Sequence, residues 1–139
     1  MKIAVVYWSS TGNTEAMAQA VAEGAKHAGA EAELFTAAEF DGGKMDEFDA
    51  VAFGCPAMGA EELEDGEFAP MFETCESKLS GKKIALFGSY GWGDGEWMRT
   101  WEENCRDKGA NLVCDSVICQ ETPDDEALSA CRSLGEALA

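Results

Sequence analysis

Apolar and polar residues follow one another along the chain in blocks that predict strands separated by helices. Five short segments rich in apolar residues lie at residues 2–8, 30–36, 50–54, 84–88 and 111–119. Helical periodicity predicts helices at residues 14–28, 68–79, 96–108 and, after Pro123, up to residue 138. The first, third and fourth apolar segments are nearly continuous, which is typical of parallel strands that are covered on both faces.

This alternation predicts an α/β fold with a doubly wound, five-stranded parallel sheet and helices on both faces. We expect the strand order 2-1-3-4-5, with segment 30–36, where glutamates alternate with Ala32 and Leu34, as a half-exposed edge strand. In this order, the carboxyl ends of strands one, three and four surround a crevice. The segments that follow these strands are expected to meet there; they are residues 9–14, 55–61 and 89–95.

The segment after the first strand has the composition of a phosphate-binding loop. It consists of Ser9, Ser10, Thr11, Gly12, Asn13 and Thr14. Hydroxyl groups, backbone N–H groups and the positive end of a helix dipole all attract an anion. A triphosphate loop would require a lysine, but no Lys or Arg lies between Lys2 and Lys26. The segment therefore predicts a phosphate monoester held by neutral donors, and an ordinary strand–helix turn is the weaker alternative.

The second and third segments each carry one large apolar residue in a loop. Met58 lies past Pro56, where the strand has ended, and Trp92 lies between two glycines. We expect the thioether and the indole to enclose a planar aromatic ligand that carries the phosphate. Glu61 would accept a hydrogen bond from a ring N–H, and the backbone of residues 91–93 would donate to ring carbonyls. The alternatives are that Met58 fills the core and that Trp92 anchors its own loop.

Composition limits the remaining possibilities. A chain of 139 residues with 46% hydrophobic residues, and no apolar run of transmembrane length, predicts a single globular domain over residues 1–139 without a membrane segment or signal peptide. The six cysteines form no C-x-x-C motif, and the one histidine, His27, lies at a predicted helix end. We therefore expect no metal site, and free cysteines in a reducing cytoplasm.

The net charge of −17 argues against nucleic acid or an anionic membrane as a partner and favours a basic protein surface, although it also suits solubility alone. One acidic run lies just after Met58 and is expected to be solvated; it comprises Glu61, Glu62, Glu64, Asp65 and Glu67.

The three loop sequences resemble those of short-chain bacterial flavodoxins of the type found in anaerobes, over essentially the whole chain. The segment Ser9–Thr14 resembles the family's T-G-N-T signature, and residues 55–63 resemble its second flavin loop. Residues 81–98 resemble the third loop nearly residue for residue. The resemblance implies the flavodoxin-like fold and non-covalently bound FMN, contacted by Ser9, Ser10, Thr11, Gly12, Asn13, Thr14, Pro56, Ala57, Met58, Gly59, Ala60, Glu61, Ser89, Tyr90, Gly91, Trp92 and Gly93.

The same resemblance implies a low-potential one-electron carrier that cycles mainly between the semiquinone and the hydroquinone and serves redox enzymes in place of ferredoxin. Its partners would be oxidoreductases, reductases and hydrogenase-type enzymes, approached by a cytoplasmic monomer without catalytic residues. In the family, the peptide after the glycine at Gly59 flips on reduction, which a glycine permits without steric cost. Two places depart from the family pattern, namely Ala60 and the pair Gln120-Glu121.

Three other functions found on such a fold suit these residues less well. An FMN-dependent quinone or nitro reductase would need a substrate pocket over the flavin, and the chain has no spare segment to build one. A phospho-receiver domain would need acidic residues at the end of strand one, where Trp8, Ser9 and Ser10 stand instead. An enzyme with a hydroxyl nucleophile lacks a histidine near the predicted site.

Overall fold

Strands and helices alternate along the chain in the computed structural model, which describes residues 1–58, 62–91 and 93–139. The strands are β1 (Lys2–Tyr7), β2 (Glu31–Thr36), β3 (Ala50–Gly54), β4 (Lys83–Tyr90), β5 (Asn111–Leu112) and β6 (Val117–Gln120). The α-helices are α1 (Asn13–His27), α2 (Phe68–Cys75), α3 (Glu96–Asp107) and α4 (Asp125–Leu138). Short 3₁₀ turns occupy Ala37–Glu39, Gly42–Glu47 and Glu76–Lys78.

The strands form one parallel sheet in the order β2-β1-β3-β4-β5, which confirms the predicted order. The prediction of one fifth strand over residues 111–119 is wrong, because β5 and β6 pair separately with β4. Residues 113–116 separate them: the Val113 N–H still donates to the Ile84 carbonyl of β4 at 3.1 Å, but Asp115 is exposed, and Ser116 Oγ donates a hydrogen bond to Glu102 Oε2 on α3 at 2.7 Å. A segment that the sequence predicts as one apolar strand therefore forms two strands, with the polar residues Asp115 and Ser116 between them.

Strand β4 is longer than predicted. It continues through Ser89 and Tyr90, which pair with Cys119 and Gln120 of β6, whereas the sequence pattern placed both residues in a loop. The helix expected over residues 68–79 ends as an α-helix at Cys75 and continues as the 3₁₀ turn Glu76–Lys78. No glycine or proline marks that change in the sequence, so the pattern alone could not locate it.

Each face of the sheet is covered by a separate core. One core is aromatic and packs α2 and α3 against the sheet; the ring centroids of Phe68 and Trp101 lie 5.5 Å apart in an edge-on arrangement. The connector between β2 and β3 adds Phe40, Met45 and Phe48 to this core. In the edge strand β2, Leu34 is 40% exposed, so it does not take the inward position that its alternation suggested.

The opposite core packs α1 and α4 against the sheet, with Met17, Val21, Leu134 and Leu138 buried. Among the described residues, no helix is long and apolar enough to cross a membrane. In the same portion of the chain, no cluster of His, Cys, Asp or Glu could hold a metal ion.

Candidate functional site

The three segments expected to meet do meet, at the carboxyl ends of β1, β3 and β4. They surround an open cavity of about 210 Å³. Its lining comprises Ser10, Thr11, Asn13, Pro56, Ala57, Met58, Ser89, Tyr90, Gly91 and Glu121. Nine of these ten residues belong to the predicted site, and Glu121 is the addition.

The first segment turns sharply into α1. Gly12 has a φ of 94°, in the left-handed region that favours glycine, and its carbonyl accepts a hydrogen bond from the Ala16 N–H at 3.0 Å. The Gly12 N–H donates to Ser9 Oγ at 3.1 Å. Because the first turn of a helix leaves backbone N–H groups without helical partners, this end of the cavity offers donors to an anion.

Thr14 is in the predicted phosphate segment, but its hydroxyl is buried. Thr14 Oγ1 and Ser89 Oγ share a hydrogen bond of 3.1 Å, and only 1% and 6% of the two residues are exposed. The bond joins the start of α1 to the end of β4. It therefore fixes the first segment relative to the third.

A second cavity, of about 340 Å³, adjoins the phosphate segment on the side of β2 and shares Ser10 with the first cavity. Ser9 and Gly12 line it. Trp8 Nε1 donates to Glu67 Oε1 at 3.2 Å, and the Tyr7 hydroxyl donates to Glu15 Oε2 at 3.1 Å. Burial raises the pKa of Tyr7, and the Glu15 carboxylate raises it further.

Tyr7 therefore remains a neutral donor at neutral pH. Tyr7, Trp8 and Glu67 are not among the site residues predicted from the sequence. The position of Tyr7 and Trp8 at the carboxyl end of a central strand was the signal that could have identified the first two.

The second segment is held at several points. The Ala57 N–H donates to the Ser89 carbonyl at 3.0 Å, and Trp97 Nε1 donates to the Cys55 carbonyl at 3.1 Å. Met58 and Glu62 then pair in antiparallel fashion, with N–H···O distances of 2.8 and 2.9 Å. We call this pair the Met58–Glu62 neck. Burial raises the pKa of the Cys55 thiol to about 12, so the thiol is protonated and inert at neutral pH.

The third segment is joined to the last residue of β6 and to the residue that follows it. The Glu121 N–H donates to the Tyr90 carbonyl at 2.7 Å, and Gln120 Nε2 donates to the Gly91 carbonyl at 3.3 Å. Glu121 has a φ of 58°, a conformation that residues other than glycine rarely adopt. Of the pair that departs from the flavodoxin pattern, Glu121 lines the cavity and Gln120 contacts the third segment, because β6 lies beside β4.

The acidic run near Met58 divides into two kinds of residue. Glu62, Asp65 and Glu67 are exposed, as expected for a solvated face. The same expectation is wrong for Glu64, which is 8% exposed and whose carboxylate accepts three backbone hydrogen bonds. The sequence of an acidic run does not show which of its carboxylates is buried.

Several predicted site residues are not at the cavity or are not described. The roles predicted for Gly59, Ala60, Glu61 and Trp92 lie outside the described residues. Gly93 is exposed with a φ of 86° and does not line the cavity.

Several known proteins are similar to this chain in sequence and in fold. The family model described as Flavodoxin matches residues 5–135. A flavodoxin from Megasphaera elsdenii is 45% identical, and the match covers 99% of this chain and 98% of that protein. A flavodoxin from Clostridium beijerinckii is 44% identical, with 97% of each chain covered. The solution structure of two-electron reduced Megasphaera elsdenii flavodoxin superposes with a TM-score of 0.90, over 98% of this chain and 97% of that one.

Proposed function

The chain belongs to the flavodoxin family, and we propose that the cavity between its three loops is where this chain holds FMN. The protein is an FMN-binding electron carrier rather than an enzyme. Bound FMN supplies a ring system that takes up and releases electrons one at a time. The observation that carries the proposal is a cavity that residues of all three loops line together.

The residues present suit the two ends of FMN. At one end, Ser9–Thr14 offers hydroxyl and N–H donors at the start of α1, with no cation, which matches a phosphate monoester. At the other end, Met58 and Tyr90 provide apolar and aromatic surface for a flat ring. The proposed FMN contacts are therefore those expected from the sequence, with Gly93 left out and Glu121 added.

Electrons pass from this protein to redox partner proteins. The proposed docking surface, which we call the acidic rim, consists of three exposed glutamates near the cavity. Glu121 lines the cavity, Glu62 pairs with Met58, and Glu67 lines the adjoining cavity. Lys2 and Lys83 begin β1 and β4, so they lie at the opposite end of the parallel sheet. The acidic rim would attract a basic partner toward the cavity.

The protein is further proposed to act as a monomer in the cytoplasm. All six cysteines are described, and none forms a disulfide, in agreement with a reducing compartment. Light scattering of the FMN-loaded protein would test the oligomeric state, and a mass corresponding to a dimer would contradict it.

Reconstitution with FMN tests the proposed site. The apoprotein should bind one equivalent of FMN and quench the fluorescence of the flavin. A spectroscopic redox titration should then resolve two one-electron potentials. Ser10→Ala and Ser133→Ala form a matched pair, because Ser10 lines the cavity and Ser133 is exposed on α4. We expect only Ser10→Ala to weaken FMN binding. Equal affinities in both variants would contradict the proposed site.

A further inference from the structure

Glu64 is the one buried acidic residue in the part of the chain that the structure describes. Its carboxylate oxygens accept three backbone hydrogen bonds, from Gly66 N at 2.6 Å, Glu67 N at 2.8 Å and Phe68 N at 2.7 Å. These N–H groups lie at the start of α2, where the residue preceding the helix, Glu67, provides no side-chain cap. Glu64 therefore satisfies donors that would otherwise lack partners.

The carboxylate is charged when the protein is folded. Burial opposes the charge and raises the pKa of Glu64, but the three backbone N–H groups outweigh burial and leave the pKa below its usual range. An ionised carboxylate accepts more strongly than a neutral amide would. The turn of residues 64–68 is thus closed around a buried anion.

The backbone of Glu64 joins this turn to the second loop. Its N–H donates to Cys55 Sγ at 3.4 Å, and the carbonyl of Cys55 is itself held by Trp97 Nε1 at 3.1 Å. Only Leu63, which packs against the aromatic core, separates Glu64 from the Met58–Glu62 neck. The Glu62 end of the neck is therefore held in place through Glu64. Met58, at the other end of the neck, lines the cavity.

We propose that Glu64 is a positioning residue for the flavin: without lining the cavity, it holds the Met58–Glu62 neck in place and thereby sets FMN affinity and both redox potentials. The proposal rests on FMN occupying the cavity. A glutamine at position 64 would keep the size of the side chain, but its amide N–H₂ would oppose one of the backbone N–H groups. The turn would loosen, and the neck would lose its anchor.

Glu64→Gln and Asp65→Asn form the test pair. Both remove one negative charge from the same turn, but Asp65 is exposed and no backbone N–H donates to its carboxylate among the described contacts. Three quantities are measured: the FMN dissociation constant of the apoprotein, both one-electron potentials, and amide hydrogen exchange at residues 66–68. We expect Glu64→Gln to weaken FMN about tenfold, as loss of a charge-assisted hydrogen bond would, and to accelerate exchange. Asp65→Asn should produce only the smaller potential shift of a lost surface charge.

A third variant distinguishes the position of the Glu64 carboxylate from its charge. It also provides a test if Glu64→Gln does not fold. Glu64→Asp keeps the charge but shortens the side chain by one methylene group, so it should also weaken FMN and shift the potentials. The inference is overturned if the folded Glu64 variants match Asp65→Asn in affinity and potentials. Failure of the wild-type apoprotein to bind FMN would instead overturn the proposed function.

Discussion

Thr14 and Ser89 are 75 positions apart in the chain, yet their buried hydroxyls share a hydrogen bond of 3.1 Å. Thr14 lies in the first turn of α1, and Ser89 lies near the carboxyl end of β4. The bond thereby joins the start of α1 to the end of β4 beside the cavity. Thr14 is predicted to contact the phosphate, and through its hydroxyl it also holds the start of α1 to the end of β4.

Thr14→Val should destabilise the apoprotein, since valine keeps the shape but leaves the Ser89 hydroxyl buried without its partner. The expected loss in the free energy of unfolding is about 1–3 kcal/mol. Denaturant unfolding measures it, and Thr100→Val, an exposed position on α3, is the matched control. An equal loss in both variants would mean that the buried bond contributes nothing specific.

Gly12→Ala should weaken FMN binding through the backbone. Gly12 has a φ of 94°, and a Cβ atom there would meet nothing within 4 Å, so the constraint is conformational rather than steric. Gly29, which follows α1, has the same features with a φ of 95°. Each alanine variant should lose about 1–2 kcal/mol of stability. Only Gly12→Ala should also raise the FMN dissociation constant, and parallel behaviour in FMN titrations would contradict a role for this turn.

Gly24→Ala should destabilise the fold although alanine favours helices. A Cβ atom at Gly24 would lie 1.9 Å from the Arg132 carbonyl oxygen, so α1 and α4 would have to separate. We expect a net loss of about 1–3 kcal/mol, which exceeds the gain of about 1 kcal/mol in helix propensity. Thermal or denaturant unfolding measures the change. Ser133→Ala, on the exposed side of α4, should leave stability nearly unchanged.

The contribution of Glu64 to stability should depend on pH. Because its folded pKa lies below the ordinary value of 4.5, the contribution is fully present above that value and is lost as pH falls through the folded pKa. The stability difference between wild type and Glu64→Gln, about 1.5–3 kcal/mol at pH 7, should therefore shrink in acid. Unfolding curves from pH 7 to about pH 3 measure it against Asp65→Asn. A difference that stays constant with pH would contradict an ionised Glu64.

Electron transfer to a basic redox protein should slow as salt is added. The screening length falls from about 10 Å at 0.1 M to about 3 Å at 1 M, which weakens attraction to the acidic rim. Glu121→Gln should lower the bimolecular rate constant at low salt, measured by stopped flow. Glu31→Gln removes an exposed charge at the start of β2, at the opposite end of the sheet, and should have less effect. Equal effects would indicate steering by net charge alone.

Much of the fold follows from local patterns. The continuous apolar runs of β1, β3 and β4 predict central parallel strands, since both faces of such strands are buried. The order of these strands then brings the loops after them together. The hydroxyl-rich turn before α1 likewise predicts a phosphate site because its donors are consecutive in sequence.

The remaining features depend on contacts between distant residues. Between β5 and β6, Ser116 forms a hydrogen bond with Glu102 of α3, and Glu121 lines the cavity because β6 lies beside β4. These relations connect positions that no local pattern links.

The sequence by itself determined the parallel sheet and the family, and it predicts the phosphate segment, because periodicity and consecutive donors are local properties. Only the tertiary structure decided that Thr14 bonds Ser89 and that Glu64 is a buried anchor rather than part of a solvated acidic face. The physical reason is that burial and hydrogen-bond partners are set by the surrounding chain. An acidic run shows how much charge is present, but the fold selects which carboxylate turns inward to backbone N–H groups.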